Sequence, residues 1–187
     1  MKILLNTRVV FIYYHQKQQK NLESLSTNDV INILSIAGSY FENIVVDLSQ
    51  PYISEELITS FDFASVVCLV MTPDIVCFEH TQKFLELMND LNFSSSKFQI
   101  ILNMTGISNT EIDVESIESY LGKELLGNIP YDSNSFISSV NLGIPIMQNA
   151  SNLFYNQTGT LSSLIKLPNN VNQEVVKSVF IAYQKRY

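Results

Sequence analysis

The 187-residue sequence contains no uninterrupted apolar run that approaches the roughly 20 residues needed to cross a bilayer as a helix. This absence argues against a membrane-spanning helix in any stretch of the sequence. The first five residues, Met-Lys-Ile-Leu-Leu, are too few to form a signal peptide, and polar residues soon follow them. We therefore expect the protein to be cytoplasmic.

Basic residues are scarce: 11 lysines and arginines stand against 18 acids, for a net charge of -7. General nucleic-acid binding needs a basic surface that displaces counterions from phosphates, so the composition argues against nucleic acid as a partner. The few bases lie mostly at the two ends of the chain, in residues 1–20 and 166–187, and the body between them is strongly acidic.

Cysteine and histidine are too few for a zinc-type cluster. The sequence has two cysteines, Cys68 and Cys77, in or beside apolar stretches, and no second cysteine pair or histidine at ligand spacing. We interpret them as buried free thiols in a reducing cytoplasm. His15 lies in a polar stretch without a catalytic partner nearby, and we interpret it as a solvated loop residue.

A glycine-rich phosphate loop is also missing. Such a loop offers consecutive backbone N–H groups at the start of a helix, together with a lysine for the β- and γ-phosphates. The six glycines never occur at that spacing, and the one Gly-Lys pair, Gly122-Lys123, is followed by Glu124 instead of serine or threonine. These 187 residues therefore lack the loop and the lysine that usually bind a triphosphate.

The sequence does contain alternating strand and helix patterns within a 46% hydrophobic composition, which predicts one folded domain over residues 1–187. The alternation of strand and helix, four times over, predicts an α/β fold with a doubly wound, mostly parallel sheet and helices on both faces. Apolar, β-branched runs predict strands at residues 8–14, 44–47, 65–72, 98–103 and 125–129. Helical spacing predicts helices at residues 26–37, 74–91, 113–121, 133–140, 161–167 and 173–187, and a short one after residue 54.

Local signals mark where several helices begin and end. Ser26 is followed three residues later by Asp29, which predicts a capping box. Ser54 and Ser133 are candidate N-caps, and Gly38 is expected to end or loosen the helix that starts at Ser26.

Asp47 is the most informative single residue. It closes the apolar strand within residues 43–51 and is followed by turn-forming residues. Ligands of open α/β sheets collect at the carboxyl ends of such strands, so Asp47 is a candidate for a Mg²⁺ or phosphate site. The alternative is an aspartate that only caps the following turn.

Two further polar groups end apolar strands. Asn103 closes the strand at 98–103, and Pro130, Tyr131 and Asp132 terminate the strand at 125–129. If the strands are parallel, Asn103 lies at the same edge as Asp47. The alternative for Asn103 is a strand-end turn residue, and for Pro130 and Asp132 it is an ordinary turn followed by a helix cap.

Four segments, taken in order, resemble a known family. They are residues 44–48 (Ile-Val-Val-Asp-Leu), the strand at 66–74 ending Met-Thr-Pro-Asp, residues 101–103 (Ile-Leu-Asn), and residues 127–132 (Gly-Asn-Ile-Pro-Tyr-Asp). Their order and spacing over residues 8–166 resemble the later two-thirds of the MinD/ParA-type deviant-Walker P-loop ATPases. Within that superfamily the sequence is most similar to the CpaE/TadZ branch, the pilus-assembly localisation proteins.

The resemblance implies roles for four residues. Asp47 would be the Walker B aspartate, holding Mg²⁺ through water or orienting the hydrolytic water. Asn103 would read the adenine edge of ATP or ADP, since an amide supplies both a donor and an acceptor. Pro130 and Asp132 would belong to the loop that closes over the base.

The sequence also departs from the family pattern. The family's first strand, phosphate-loop helix and following strand would all precede residue 1. We therefore expect weak or absent binding of ATP, ADP and Mg²⁺, and no hydrolysis by this chain alone. The resemblance implies a positioning or assembly factor in pilus or secretion systems, acting as a homodimer or with a component of such a system.

Two alternatives remain open. The chain could be an active ATPase whose phosphate loop comes from an upstream segment or a separate chain. An unrelated Rossmann-like enzyme using Asp47 as a general base ranks last, because no matching nucleophile or paired carboxylate accompanies it.

The C-terminal extension, residues 168–187, is expected to be helical, with residues 173–187 packing on the body or a partner, or contacting the inner membrane peripherally as in MinD.

Overall fold

A computed structural model describes residues 2–6, 9–14, 26–41, 43–48, 53–109, 111–164 and 178–183. His15 and the turn residues that follow Leu48 lie outside the described residues. The chain is divided by its internal contacts into two compact units. The first comprises Met1–Leu69, Ser96–Phe98 and Leu167–Tyr187, and the second comprises Val70–Ser95 and Gln99–Lys166.

Seven strands and six α-helices make up the regular structure of the described residues. In chain order they are β1 (Lys2–Asn6), β2 (Val9–Tyr14), α1 (Thr27–Tyr40), β3 (Asn43–Leu48), α2 (Glu55–Phe63), β4 (Val66–Met71), α3 (Ile75–Asp90), β5 (Phe98–Thr105), α4 (Val114–Leu121), β6 (Leu125–Pro130), α5 (Ser133–Leu142), α6 (Asn152–Leu164) and β7 (Ser178–Tyr183). Short 3₁₀ turns lie at Ser95–Lys97 and Ile146–Gln148.

The strands pair in a mostly parallel manner, which confirms the predicted α/β class. In the first unit their order is β1-β2-β3-β7-β4. Strand β1 is antiparallel to β2, whereas β2, β3, β7 and β4 run parallel to their neighbours. In the second unit β5 and β6 are parallel neighbours. Parallel pairing places the carboxyl ends of neighbouring strands at one edge.

Strand β7 corrects the prediction of a C-terminal helix. Where residues 173–187 are described, they form a strand between β3 and β4 and parallel to both. The run Val179-Phe180-Ile181 has the β-branched and aromatic character that strands favour. A short apolar run of this kind fits both a helical and a strand period, so periodicity alone gave the wrong answer. The membrane-binding helix is therefore not supported.

The core of the first unit forms around β3. Ile44, Val46 and Leu48 alternate along the strand and are nearly fully buried, as the period of two requires. Helix α2 adds Leu57 and Phe61, which are also fully buried. The ring of Phe61 packs edge-on against Phe98, with the centroids 5.8 Å apart. This geometry is a favourable one for an aromatic pair.

The core of the second unit is a cluster of Met71, Phe78, Ile100, Leu102 and Ile117. Three consecutive residues of β5, from Ile100 to Leu102, are buried, so this strand is covered on both faces. A continuously buried strand is typical of parallel sheets and agrees with the prediction for residues 98–103.

Helix ends follow the local signals in part. Ser26 and Asp29 form the predicted capping box at the start of α1, and Ser54 caps α2. Helix α1 continues through Gly38 to Tyr40, so of the two predicted effects of that glycine, ending the helix is excluded. Helix α5 is capped by Asp132 instead of Ser133.

Helix α6 begins at Asn152, nine residues before the predicted helix at 161–167. Gly159 lies inside this helix. An interior glycine lowers helix stability by about 1 kcal/mol relative to alanine, so helix propensity does not predict a helix that runs through this position. The Ser151 hydroxyl accepts a hydrogen bond from the Phe154 N–H at 3.2 Å and so helps to start the helix.

Candidate functional site

Asp47 is the fifth residue of β3, next to the end of that strand, and is half-buried. It is in register with Tyr13 of β2 and Ala182 of β7. Strands β2, β3 and β7 are parallel, so Asp47 lies towards the carboxyl edge of this group of strands. The position predicted for Asp47 in the sheet thus agrees with the structure of the first unit.

Asn103 belongs to the second unit and lies where β5 is interrupted by a bulge. Its side-chain Oδ1 accepts a hydrogen bond from the Met104 N–H at 2.9 Å. Met104 has φ +61°, a left-handed conformation that residues with a side chain rarely adopt. The register between β5 and β6 shifts between Asn103 and Thr105, which marks the bulge.

The bulge brings Asn103 and Pro130 to neighbouring positions on two parallel strands. Asn103 is paired with Ile129, and Thr105 is paired with Pro130. The carbonyl oxygen of Thr105 then accepts a hydrogen bond from the Tyr131 N–H at 2.9 Å. Two of the predicted nucleotide-binding residues are therefore together at the ends of β5 and β6.

The amide of Asn103 retains free donor capacity. Within the part of the chain that the structure describes, its one recorded hydrogen bond is the local bond accepted by Oδ1. The side chain is half-buried, and its Nδ2 group can donate two hydrogen bonds. The group is thus able to donate to a ring nitrogen while its oxygen accepts from an amino group.

Asp132 has the structural role of a helix cap. Its Oδ1 accepts a hydrogen bond from the Ser135 N–H, and its Oδ2 accepts one from the Ser151 N–H, both at 3.1 Å. The hydrogen bonds from Ser151, followed by those from Ser135, lower the pKa of Asp132 to about 2. This carboxylate joins the start of α5 to the start of α6, which matches the alternative interpretation of Asp132 as a helix cap.

Glu111 is a feature that the sequence analysis missed. The loop after β5 places three consecutive backbone N–H groups, from Gly106, Ile107 and Ser108, around the Glu111 carboxylate at 2.9, 2.5 and 2.8 Å. The N–H of Gly106 and then that of Ser108 lower the pKa of this carboxyl group. Three converging N–H groups form an anion-binding nest, which here holds the chain's own carboxylate.

A magnesium ion would have limited protein ligation in this chain. Among the described residues, no group of three or more histidine, cysteine, aspartate or glutamate side chains could hold a metal. Mg²⁺ is usually bound by one or two carboxylates, with water and substrate phosphates completing the octahedron. Asp47 fits the carboxylate part of that description, and the remaining ligands would have to come from water and a phosphate.

The phosphates of a nucleotide fit the chain poorly. The glycine-rich loop is missing from the 187 residues, and the nest over Gly106 to Ser108 is already filled by Glu111. The base fits better, because the amide of Asn103 lies beside the Ile129-Pro130 end of β6. The 187 residues therefore lack a cradle for a triphosphate, and Asn103, beside the end of β6, is the group that could contact a base.

The two cysteines differ in burial. Burial raises the pKa of the Cys68 thiol to about 11, which keeps it protonated and unreactive. Cys77 is half-buried, and its sulfur lies 3.0 Å from the Thr72 hydroxyl. Both are free thiols, as predicted, but only Cys68 is buried, so the predicted burial of Cys77 was wrong.

No helix among the described residues is long and apolar enough to span a bilayer. No protein-family model matches the sequence, and no curated protein matches it significantly.

Solved structures do match the chain. It is similar to a ParA family ATPase from Chlorobium tepidum TLS, with 21% identity over 76% of this chain and 57% of that one, and a TM-score of 0.65. It is also similar to MinD in the MinC:MinD cell division protein complex of Aquifex aeolicus, with 17% identity over 80% and 63% of the two chains and a TM-score of 0.64. A third match is the septum site-determining protein MinD complexed with Mg-ADP from Pyrococcus horikoshii OT3, with 18% identity over 77% and 58% and a TM-score of 0.61.

The chain spans about three-fifths of the length of these solved structures. The likeness extends over three-quarters or more of this chain, and the strand-helix alternation and parallel pairing are features of the same architecture. The chain therefore has the fold of the ParA and MinD ATPases.

Proposed function

We propose that this protein is a ParA/MinD-like nucleotide-binding protein that recognises the base of an adenine nucleotide and does not by itself hydrolyse ATP. Its role would be that of a positioning or assembly factor, in the manner of the CpaE/TadZ branch in pilus or secretion systems. The observation that carries the proposal is the pairing of Asn103 with the Ile129-Pro130 end of β6, in a chain without a glycine-rich loop.

The purine edge is the part of the ligand that these residues suit. The similar MinD from Pyrococcus horikoshii is complexed with Mg-ADP, which makes an adenine nucleotide the first ligand class to test. Asn103 can donate from Nδ2 to a ring nitrogen and accept at Oδ1 from the exocyclic amino group. A site that uses both functions discriminates against guanine, because guanine presents a carbonyl where adenine presents an amino group.

Hydrolysis needs more than these residues supply. Phosphoryl transfer depends on groups that position and neutralise the phosphates, and the phosphate loop and its lysine normally supply most of them. Asp47 alone would hold Mg²⁺ only through water and a bound phosphate. We therefore propose that Asp47 is a remnant of a Walker B aspartate in a chain that does not turn over nucleotide alone.

The proposal is tested by titrating the protein with adenosine and with guanosine, observed by amide NMR. Adenosine should perturb the resonances of Asn103 and Tyr131 with a dissociation constant in the millimolar range, and guanosine should not. Asn103→Ala should abolish the adenosine response. Asn89→Ala, on the exposed end of α3, is the matched control and should bind adenosine as the unmodified protein does. Equal responses to both nucleosides, or binding that survives Asn103→Ala, would refute base recognition at this site.

This chain matches only part of the length of the similar solved structures, and this favours a second candidate function. About two-fifths of the length of those structures lies outside the match. The chain would then be an active ATPase whose phosphate loop is supplied by a segment or chain outside these 187 residues. Joining the protein to its upstream coding sequence should then produce ATP hydrolysis that Asp47→Ala abolishes. A joined protein without hydrolysis would exclude this candidate.

A partner in assembly is part of the same proposal. The similar MinD of Aquifex aeolicus is found in a complex with MinC. We propose a homodimer, or a complex with a pilus or secretion component, in the cytoplasm.

A further inference from the structure

One peptide unit connects Glu111 to the loop that follows β6. The N–H of Gly106 donates a hydrogen bond to Oε2 of Glu111 at 2.9 Å. The carbonyl oxygen of Thr105 accepts a hydrogen bond from the N–H of Tyr131, also at 2.9 Å. The Thr105 carbonyl and the Gly106 N–H belong to the same planar peptide unit, and in a trans peptide they point in opposite directions. Glu111 and Tyr131 therefore contact this unit from its two sides.

The orientation of this peptide unit depends on those two contacts. Gly106 has φ +84°, and glycine adopts positive and negative φ about equally readily. Because the φ of Gly106 can change sign at little cost, backbone preference alone does not fix the Thr105–Gly106 unit. A rotated unit would turn the Thr105 carbonyl away from the Tyr131 N–H. The hydrogen bonds on its two sides therefore keep the unit in the observed orientation.

Glu111 makes the stronger of the two contacts. Its carboxylate is charged, and a hydrogen bond to a charged acceptor is roughly twice as strong as one between neutral groups. Its Oε1 also accepts hydrogen bonds from the N–H groups of Ile107 at 2.5 Å and Ser108 at 2.8 Å. The carboxylate thus fixes three successive peptide units, whereas the bond from Tyr131 joins two neutral backbone groups.

The backbone that carries Glu111 is itself anchored. The next residue, Ile112, donates its N–H to the carbonyl oxygen of Pro73 at 3.3 Å and packs against the core cluster of the second unit. One residue further on, Asp113 is the N-cap of α4. If the carboxylate is removed, we therefore expect residues 106–108 to move, while the backbone at position 111 stays in place.

We propose that Glu111 is a positioning residue for the base site. It fixes the Thr105–Gly106 unit and thereby holds Tyr131 at the end of β6, where the proposed function places the base. The side chain of Tyr131 is 49% exposed, so its ring is accessible to a ligand there. Aromatic rings bind bases by stacking, and a ring on a fixed backbone loses less affinity to its own ordering. This inference rests on the proposed function and assigns the residue that keeps that site in shape.

The first measurement needs no ligand, so its failure is separate from a failure of base recognition. A hydrogen bond transmits a scalar coupling between the donor nitrogen and the acceptor carbonyl carbon, which NMR detects directly. The unmodified protein should show this coupling between Tyr131 and Thr105. Glu111→Ala should abolish it, and the Tyr131 amide should then exchange with deuterium roughly tenfold faster. Glu115→Ala, on the first turn of α4, is the matched control and should keep the coupling.

Rescue by a small carboxylate separates positioning from a general structural role. Glu111→Ala leaves three converging N–H groups without this acceptor, and acetate carries the same chemical group. Excess sodium acetate should therefore restore the coupling between Tyr131 and Thr105 in Glu111→Ala. The same salt should change nothing in Glu115→Ala. A coupling that is lost and that acetate does not restore would overturn the proposal, because Glu111 would then not act through the nest.

The second measurement is adenosine binding, observed by calorimetry. Glu111→Ala should weaken adenosine binding roughly fivefold, because the Tyr131 end of the site is no longer held. Acetate should recover most of this loss, and Glu115→Ala should bind adenosine as the unmodified protein does. An adenosine affinity that Glu111→Ala leaves unchanged would overturn the proposal, since the position of Tyr131 would then not matter to the base.

The two measurements distinguish the failure of this inference from that of the proposed function. A coupling that survives Glu111→Ala would overturn the positioning role of Glu111, even in a protein that binds adenosine through Asn103. An unmodified protein that binds no adenosine would instead refute the proposed function, and a coupling lost in Glu111→Ala would then show a contact that orders Tyr131 without a base site.

Discussion

The carboxylate of Asp132 accepts a hydrogen bond from the backbone N–H of Ser151, 19 residues further along the chain, at 3.1 Å. The same carboxylate caps α5 through Ser135, so one side chain fixes the starts of two helices. This relationship explains why the loop after β6 keeps a defined shape. Tyr131 begins this loop, directly after Pro130 at the end of β6, which the proposed function places beside the base.

Replacing Asp132 should therefore destabilise the second unit. We expect Asp132→Ala to lower the melting temperature by about 2–4 °C. Loss of an N-cap destabilises the helix, and in a protein of this size such a loss shifts the melting temperature by about that amount. Asp90→Ala, at the exposed C-terminal end of α3, is the control and should change the melting temperature little. An Asp132→Ala protein as stable as the unmodified one would show that the bond to Ser151 does not hold the two helices.

The low pKa of Asp132 gives a pH dependence with a definite sign. A carboxylate whose pKa is depressed by folding contributes stability that is present above its ordinary pKa of 3.8, and this stability is lost as the pH falls through the folded value of about 2. The stability difference between the unmodified protein and Asp132→Asn should be constant above pH 5 and should shrink below about pH 4. Denaturant melts at a series of pH values measure it, and a difference that grows on acidification would contradict the assignment.

Glu111 should hold the loop after β5 in place. Replacing it with alanine leaves the N–H groups of Gly106, Ile107 and Ser108 without their acceptor, so these amides should exchange with deuterium roughly tenfold faster. Glu115→Ala, on the first turn of α4, is the matched control and should leave these amides unchanged. Unchanged exchange in Glu111→Ala would show that the nest does not depend on this carboxylate.

Strand β7 should be essential to the first unit. It lies between β3 and β4, so Ile181→Pro removes a backbone donor from the interior of the sheet and should cost about 3 kcal/mol or more. Urea denaturation followed by circular dichroism measures this cost. If the substitution costs less than about 1 kcal/mol, residues 178–183 do not form a central strand.

Much of the fold could be predicted because its elements carry strong local patterns. The uninterrupted apolar run Ile44-Val45-Val46 predicts strand β3, although the structure buries its residues alternately, and the capping box of Ser26 and Asp29 marks α1. Strand β7 was predicted as a helix because its apolar residues fit both periods, and the sequence does not show that β3 and β4 leave a place between them. That information lies in long-range pairing, which local periodicity does not report.

The candidate site could be predicted less completely. Asn103 and Pro130 lie at predicted strand ends, their roles at a base are implied by the family resemblance, and the structure brings them together through the bulge at Met104. The bulge itself was not foreseen, because a methionine at positive φ has no signal in the sequence. The Glu111 nest was missed for a similar reason, since the loop backbone creates it and no motif encodes it.

The central claim is that this chain recognises the purine and has no binding site for the phosphates. Isothermal titration calorimetry with adenosine and with MgATP tests it most directly, because a phosphate loop would make the two affinities very different. We predict that adenosine and MgATP both bind weakly, with dissociation constants that agree within about threefold. This ratio corresponds to a difference in binding free energy of less than about 1 kcal/mol. Binding of MgATP in the micromolar range, a hundredfold or more tighter than that of adenosine, would contradict the account.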